Sequence, residues 1–192
     1  MPEEVHNKRD AIIQTAFRLF AERGFDGTPT SLIAKESGVA VGTLFHHFAS
    51  KEELINSAYV TAKSHMASSL KAGIDGESTI EGKAQRLWGN LIRWGVKNPD
   101  EFRFIEQFGC SPYITKITEE ETMNDFDFLE EVFVEGMRKD AIRNVPDTLL
   151  MEWFFESNTA IIYRIIDGKN IENVDDLIKA SFELIWRGMG KS

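Results

Sequence analysis

The chain has 192 residues, 42% of them hydrophobic and 28% charged, with a single cysteine and a formal net charge of −9. That balance describes a globular chain with enough apolar residues for a substantial core, and it excludes a disordered polymer, a disulfide-stapled scaffold and a cysteine-rich zinc site. No apolar run approaches a membrane span and the N-terminus lacks the apolar core of a signal peptide, so the expectation is a cytoplasmic protein with no membrane partner.

Taken in order, residues 1–7 are polar and read as a short disordered arm. Lys8 to Gly24 is an amphipathic helix: Ile12, Ile13, Ala16, Phe17, Leu19 and Phe20 share a face, and Gly24 stops it. From Thr28 to Lys51 the sequence TPTSLIAKESGVAVGTLFHHFASK predicts two short helices joined by a tight turn. Thr28 is a hydroxyl N-cap and Pro29 the first helical residue, where its missing N–H costs nothing. Ile33 and Ala34 form a small apolar face, Gly38 supplies a left-handed stop and Val39 fills the corner beneath it. The second helix runs from Val41 to Phe48 with Leu44 and Phe48 inward, leaving Val41, Gly42, Thr43, Phe45, His46 and His47 outward. This is the layout of a helix-turn-helix, whose second helix presents its first residues to base edges in the major groove. An ordinary helical hairpin fits the same stretch when it is taken alone.

Ser50-Lys51-Glu52-Glu53 is a capping box that opens a long helix, with Leu54, Ile55, Ala58, Tyr59, Ala62, Met66 and Leu70 along one stripe. A loop follows at Gly73–Gly76, then a helix from about Thr79 to Lys97, and another from Pro99 to Gly109. Cys110-Ser111-Pro112 interrupts, and the thiol reads as buried and inert. Glu119-Glu120-Glu121 leads a single helix carrying Met123, Phe126, Leu129, Val132, Phe133 and Met137, whose N-terminal dipole the acids complement. Two last helices run from Pro146 to about Ile166 and from Val174 to Met189. The fold class is all-α, in two domains: a three-helix DNA-binding domain over 1–51 and a larger helical domain over 52–192.

With the first helix, the paired short helices and the capping box in this order, the segment resembles the TetR (tetracycline-repressor) family of transcriptional regulators. The resemblance rests on Ile13, Ala16, Leu19-Phe20, Gly24-Phe25, Ile33-Ala34, Gly38-Val39, Gly42-Thr43-Leu44, His47-Phe48 and Ser50 to Leu54, about the first quarter of the chain. It implies a homodimer paired through the last two long helices, a ligand cavity among the middle helices and an operator as partner. Two positions depart from the family pattern. Phe45 stands where relatives usually carry a tyrosine that bonds a phosphate, a loss of about 1 kcal/mol per half-site. Ala40 sits at an N-cap where Ser or Thr is frequent, costing about 1 kcal/mol of local helix stability.

The expected DNA contacts are Thr28, Thr30, Ser31, Val41, Gly42, Thr43, Phe45, His46, His47 and Lys51. Hydroxyls and the ammonium suit phosphates, Val41 suits a thymine methyl, and Gly42 permits close approach. Neither histidine reads as a metal ligand, because adjacent helical positions diverge by about 100°. Residues 1–51 hold six Lys/Arg and six Asp/Glu, so the acidity lies elsewhere and non-specific DNA affinity should be weak.

For the effector, a small hydrophobic or aromatic molecule, the expected lining is Trp88, Phe102, Phe108, Phe126, Phe133, Trp153, Asn158 and Tyr163. The helix from Pro146 is apolar nearly all round, which fits either a central core helix of a monomer or a contact with a second subunit; the resemblance favours the second, with Phe154, Ile161, Ile165, Leu177, Ile178 and Ile185 the expected dimer contacts. No HExxH, nucleophile elbow or phosphate loop occurs, so neither an enzyme nor a cofactor or metal is expected. The rival reading is an all-α small-molecule-binding protein without sequence-specific DNA recognition.

Overall fold

The computed structural model describes residues 2–168 and 173–191, with the side chains of 2–7 and of Ile117 left aside. Among the described residues ten α-helices follow in order: α1 Pro2–Arg23, α2 Thr30–Glu36, α3 Val41–His47, α4 Lys51–Lys71, α5 Ile80–Lys97, α6 Pro99–Phe108, α7 Lys116–Met123, α8 Asp127–Arg138, α9 Asp147–Ile166 and α10 Val174–Met189. Single 3-10 turns stand at Ile74–Gly76 and Asn124–Phe126. Among the described residues the only β pairing is an isolated bridge between Ile142 and Gly190.

Three expectations are corrected. The N-terminal arm is helical from Pro2, Met1 lying outside the described residues. The helix expected to run unbroken from the acid cluster through Met137 is split into α7 and α8 by the turn at Asn124–Phe126. Pro29, not Thr28, is the N-cap of α2, so the helix starts at Thr30.

Compactness divides the chain into Met1–Ser64 with Asp100–Thr122, and His65–Pro99 with Met123–Ser192. In the first unit, α1 buries Ile12, Ile13, Ala16, Phe17, Leu19 and Phe20, the face its spacing predicts. Phe104 of α6 joins them, its ring 5.3 Å from Phe17 and 6.1 Å from Phe20. Phe108 lies 5.9 Å from Phe20. Arg18 donates to Glu36 at 2.8 Å, tying α1 to α2, and that bond is the main reason its pKa is raised.

The turn between α2 and α3 closes as the sequence demands. Gly38 adopts φ +72°, and the Val39 amide reaches back to the Ala34 carbonyl at 2.9 Å. At the start of α4 the Glu53 amide donates to Ser50 Oγ at 3.1 Å, while the Glu53 carboxylate accepts from the Ala49 amide at 2.7 Å.

In the second unit, α5 and α9 form the centre. Trp88 meets Phe154 edge-on at 5.4 Å, Phe133 meets it at 5.3 Å, and the Trp88 indole donates to Ser181 Oγ of α10 at 3.0 Å. Thr79 caps α5 by accepting from the Gly82 amide at 2.9 Å, and Asn173 caps α10 by accepting from Asp175 at 2.9 Å.

Candidate functional site

α3 is a two-turn helix with one inward residue. Leu44 is fully buried and Phe48, its C-cap, nearly so; this pins the helix and fixes which side faces out. Val41, Gly42, Phe45 and His46 are exposed and Thr43 and His47 half-buried, so every outward position expected on this helix is outward. No atom lies within 4 Å of where a Cβ on Gly42 would stand, so the backbone there is open to a ligand. On α2, Ser31 is exposed and Thr30 half-buried at the first turn.

Two expected DNA contacts turn inward. Thr28 is fully buried, its hydroxyl within 2.8 Å of the Gly24 carbonyl and 3.0 Å of the Leu19 carbonyl, so it closes the C-terminal end of α1 instead of reaching a phosphate. Lys51 is half-buried: its ammonium donates to the Phe25 carbonyl and lies 4.0 Å from the centroid of the Phe25 ring. Burial lowers the Lys51 pKa, with Asp26 and Glu52 opposing the shift. That lysine therefore braces the turn between α1 and α2. The same turn is held from its other neighbours: Tyr113 stacks on Phe25 at 3.9 Å, and its hydroxyl donates to Asp26 at 3.3 Å. Asn56 of α4 donates to the Tyr113 carbonyl and accepts from the Thr115 amide, both at 3.0 Å.

Sequence reasoning missed a basic cluster beside α3. The Arg9 guanidinium stands 5.3 Å over the Phe48 ring. Burial, then the charges of His46, Arg9 and Lys8, push the His47 pKa below its ordinary value. Lys8 and Arg9 adjoin in sequence, a signal available from the start; what the sequence lacks is that α1 brings them to the end of α3.

The expected effector residues separate. Phe102 and Phe108 are buried in the first unit, whereas Trp88, Phe133 and Asn158 are buried in the second. Phe126 and Tyr163 are half-buried. Trp153, expected inside, is 43% exposed, its ring laid against Gly188, where an added Cβ would meet it at 2.3 Å. Among the described residues of the second unit, two buried polar side-chain atoms lack a hydrogen-bond partner: Trp94 Nε1 on α5 and Asn158 Oδ1 on α9. The Asn158 amide nitrogen donates to the Phe154 carbonyl at 3.1 Å, which orients the oxygen as a ready acceptor.

Of the expected dimer contacts, Phe154, Ile178 and Ile185 are corrected. They are buried inside their own protomer, Phe154 between Trp88 and Phe133 and Ile178 beside Gly89, leaving little or nothing of them open to a partner. Ile161, Ile165 and Leu177 are half-exposed, and Leu149, Trp153 and Leu184 are exposed beside them in sequence. Cys110 is exposed, not buried. Among the described residues no group of three or more His, Cys, Asp or Glu is placed to hold a metal, and no helix is long and apolar enough to cross a membrane.

Residues 12–58 match the family model for bacterial regulatory proteins, tetR family, and residues 59–190 match the tetracyclin repressor-like C-terminal domain. The HTH-type transcriptional repressor KstR2 of Mycobacterium tuberculosis is 42% identical over 53 residues, covering 28% of this chain and 26% of the relative. The chain thus aligns with about a quarter of the length of that curated relative. A putative tetR family transcription regulator from Shewanella sp. PV-4 superposes with TM-score 0.84 at 30% identity, covering 96% of this chain and 99% of its own. A TetR family transcription regulator from Marinobacter aquaeolei VT8 superposes over the full length of both chains with TM-score 0.92 at 23% identity.

Proposed function

The chain belongs to the tetR family of bacterial regulatory proteins, and from that premise we propose that it is a homodimeric transcriptional repressor, released from a near-palindromic operator by a small hydrophobic molecule. One observation carries the DNA half of this reading: α3 buries Leu44 alone and leaves Val41, Gly42, Thr43, Phe45 and His46 facing out. A helix held from behind by one residue can enter a major groove without disturbing its own core. Ser31, Thr30, Thr43 and the cations Lys8 and Arg9 are the phosphate anchors in this reading, with Lys51 and Thr28 withdrawn to structural duty. Working on DNA puts the protein in the cytoplasm.

The effector half rests on the aromatic interior around Trp88, Phe133 and Phe154 and on the two unpartnered buried atoms, Trp94 Nε1 and Asn158 Oδ1. A buried donor or acceptor left unpaired costs about 1–3 kcal/mol, which a ligand offering the complementary groups recovers. The effector therefore carries an apolar body with both an acceptor and a donor. α4 is one continuous helix whose residues to Ser64 belong to the first unit and from His65 to the second, so it is the element through which effector and operator compete. By linkage each weakens the other by the same factor.

Selection of bound fragments from random duplex DNA tests the proposal. Two inverted half-sites centred about one helical turn or slightly more apart are the expected product. Recovery of no enriched sequence would leave the rival, a small-molecule-binding protein without sequence-specific DNA recognition, in possession.

A further inference from the structure

In the first unit just two large apolar side chains among the described residues stand in solvent: Val41, 43% exposed, and Phe45, 45% exposed. Both are on α3, four residues apart and so on one face, with the bare backbone of Gly42 beside them. Single exposed apolar residues are commonplace on any protein surface. Here the unit's other large apolar side chains, among the described residues, are buried or half-buried, and its two exceptions fall together on a helix of seven residues.

The inference rests on α3 being the DNA reader. We propose that Val41 and Phe45 are specificity determinants which read, in each half-site, the C5-methyl groups of two thymines. The chemistry leaves few alternatives. Neither side chain can donate or accept a hydrogen bond, so neither distinguishes the amino, carbonyl and ring-nitrogen groups on the base edges. The thymine methyl is the one apolar group that the four bases display in the major groove. Phe45 also has no hydroxyl with which to hold a phosphate, so its ring gains by burial against a base edge. Side chains four apart on a helix stand about 5–6 Å apart at Cβ, against about 3.4 Å per base step along one strand, so the two methyls lie one or two steps apart. Thr43 and His46, on the same short helix, carry the polar groups that the pair lacks.

The test uses the full-length protein and the duplex recovered by selection from random DNA. Each thymine is replaced in turn by deoxyuridine, symmetrically in both half-sites, which removes the methyl and nothing else. At two positions per half-site the affinity should fall about fourfold per methyl, or roughly fifteenfold for the symmetric pair, the effect of burying one carbon. With Val41→Ala one of those two sensitivities should vanish, and with Phe45→Ala the other; both side chains are exposed, and unchanged thermal melting verifies that the variants fold. A 5-methylcytosine–guanine pair at either position should bind better than the plain cytosine–guanine pair. Affinity unaffected by deoxyuridine everywhere, or sensitivities that persist in both variants, would overturn the assignment while leaving the repressor reading intact. If no duplex is enriched, the repressor reading falls, and this inference falls with it.

Discussion

A hydroxyl at a helix boundary can serve the backbone or a ligand, and at Thr28 burial decides for the backbone. Its single proton is shared between the carbonyls of Leu19 and Gly24. Thr28→Val keeps the shape and strips the bond, so it should lower unfolding stability by about 1–2 kcal/mol in urea titrations. DNA affinity per folded dimer should not change. His47 carries a second residue-scale prediction. Burial and the charges of His46, Arg9 and Lys8 hold its pKa below the ordinary value. At neutral pH the uncharged form predominates both folded and unfolded. As pH falls below about 6.5 the unfolded chain takes up the proton first, so stability declines until the folded-state pKa is passed. His47→Gln should flatten that part of the melting-temperature profile between pH 7 and 5. A bound phosphate acts with the opposite sign, favouring the imidazolium, so wild-type operator affinity should rise over the same interval if this ring meets the DNA backbone. Residue type and spacing made α3 legible: Leu44 in, its neighbours out. Thr28 and Lys51 were misjudged because their partners, the carbonyls of Leu19, Gly24 and Phe25, are set by how the α1–α2 turn folds back, which a local pattern does not contain.

Helices with strong punctuation were readable to within a residue or two: Thr79 before α5, Pro99 opening α6, and Val174 to Met189 for α10. The break between α7 and α8 escaped notice because Met123, Phe126 and Leu129 keep a three-residue apolar spacing straight through the 3-10 turn, with no Gly or Pro to mark it. Packing between helices was less visible still. Gly95 reads as a mild defect inside α5, yet a Cβ there would stand 2.8 Å from Ile162 Cδ1 and 2.9 Å from its Cγ2. Ile162 is fully buried on α9 and β-branched, so it has little freedom to withdraw. Gly95→Ala gains helix propensity in isolation, but overpacking should dominate and destabilise the second unit by about 1–3 kcal/mol. Adding Ile162→Val removes the Cδ1 methyl and should recover part of that loss. Calorimetry of the two single variants and the double measures the coupling; additive effects would mean that the helices shift apart instead of clashing.

Charge at the scale of the molecule points away from DNA, since the net of −9 sits outside residues 1–51, which are balanced. A neutral reading end has little long-range attraction for the duplex, so specific binding must draw on having two readers in one particle. In the proposed dimer the last two helices provide the surface. Sequence periodicity could say that α9 is apolar on more than one side, but not which side the protomer keeps for itself. The structure gives Phe154 and Ile162 to the protomer, and leaves Leu149, Trp153, Ile161 and Ile165 along the outside at multiples of four. On α10 it leaves Leu177 and Leu184, seven apart. Trp153 lies on Gly188, one turn beyond Leu184, so the two apolar stripes adjoin. Leu184 is 72% exposed, the most exposed of the large apolar side chains described. Such a surface is costly in a monomer and, in the proposed dimer, would be covered by a second copy bringing the same stripes across a two-fold axis. Leu184→Glu places a carboxylate on that surface without touching the protomer core, so thermal melting of the isolated protomer should be preserved. Sedimentation should show the dimer lost or weakened at least tenfold, because the partner would have to bury an unpaired charge. Operator affinity should fall with it, and by more than either half-site alone explains. A Leu184→Glu protein that sediments as a dimer would move the subunit contact off the α9–α10 face, and with it the spacing at which two α3 helices meet the duplex.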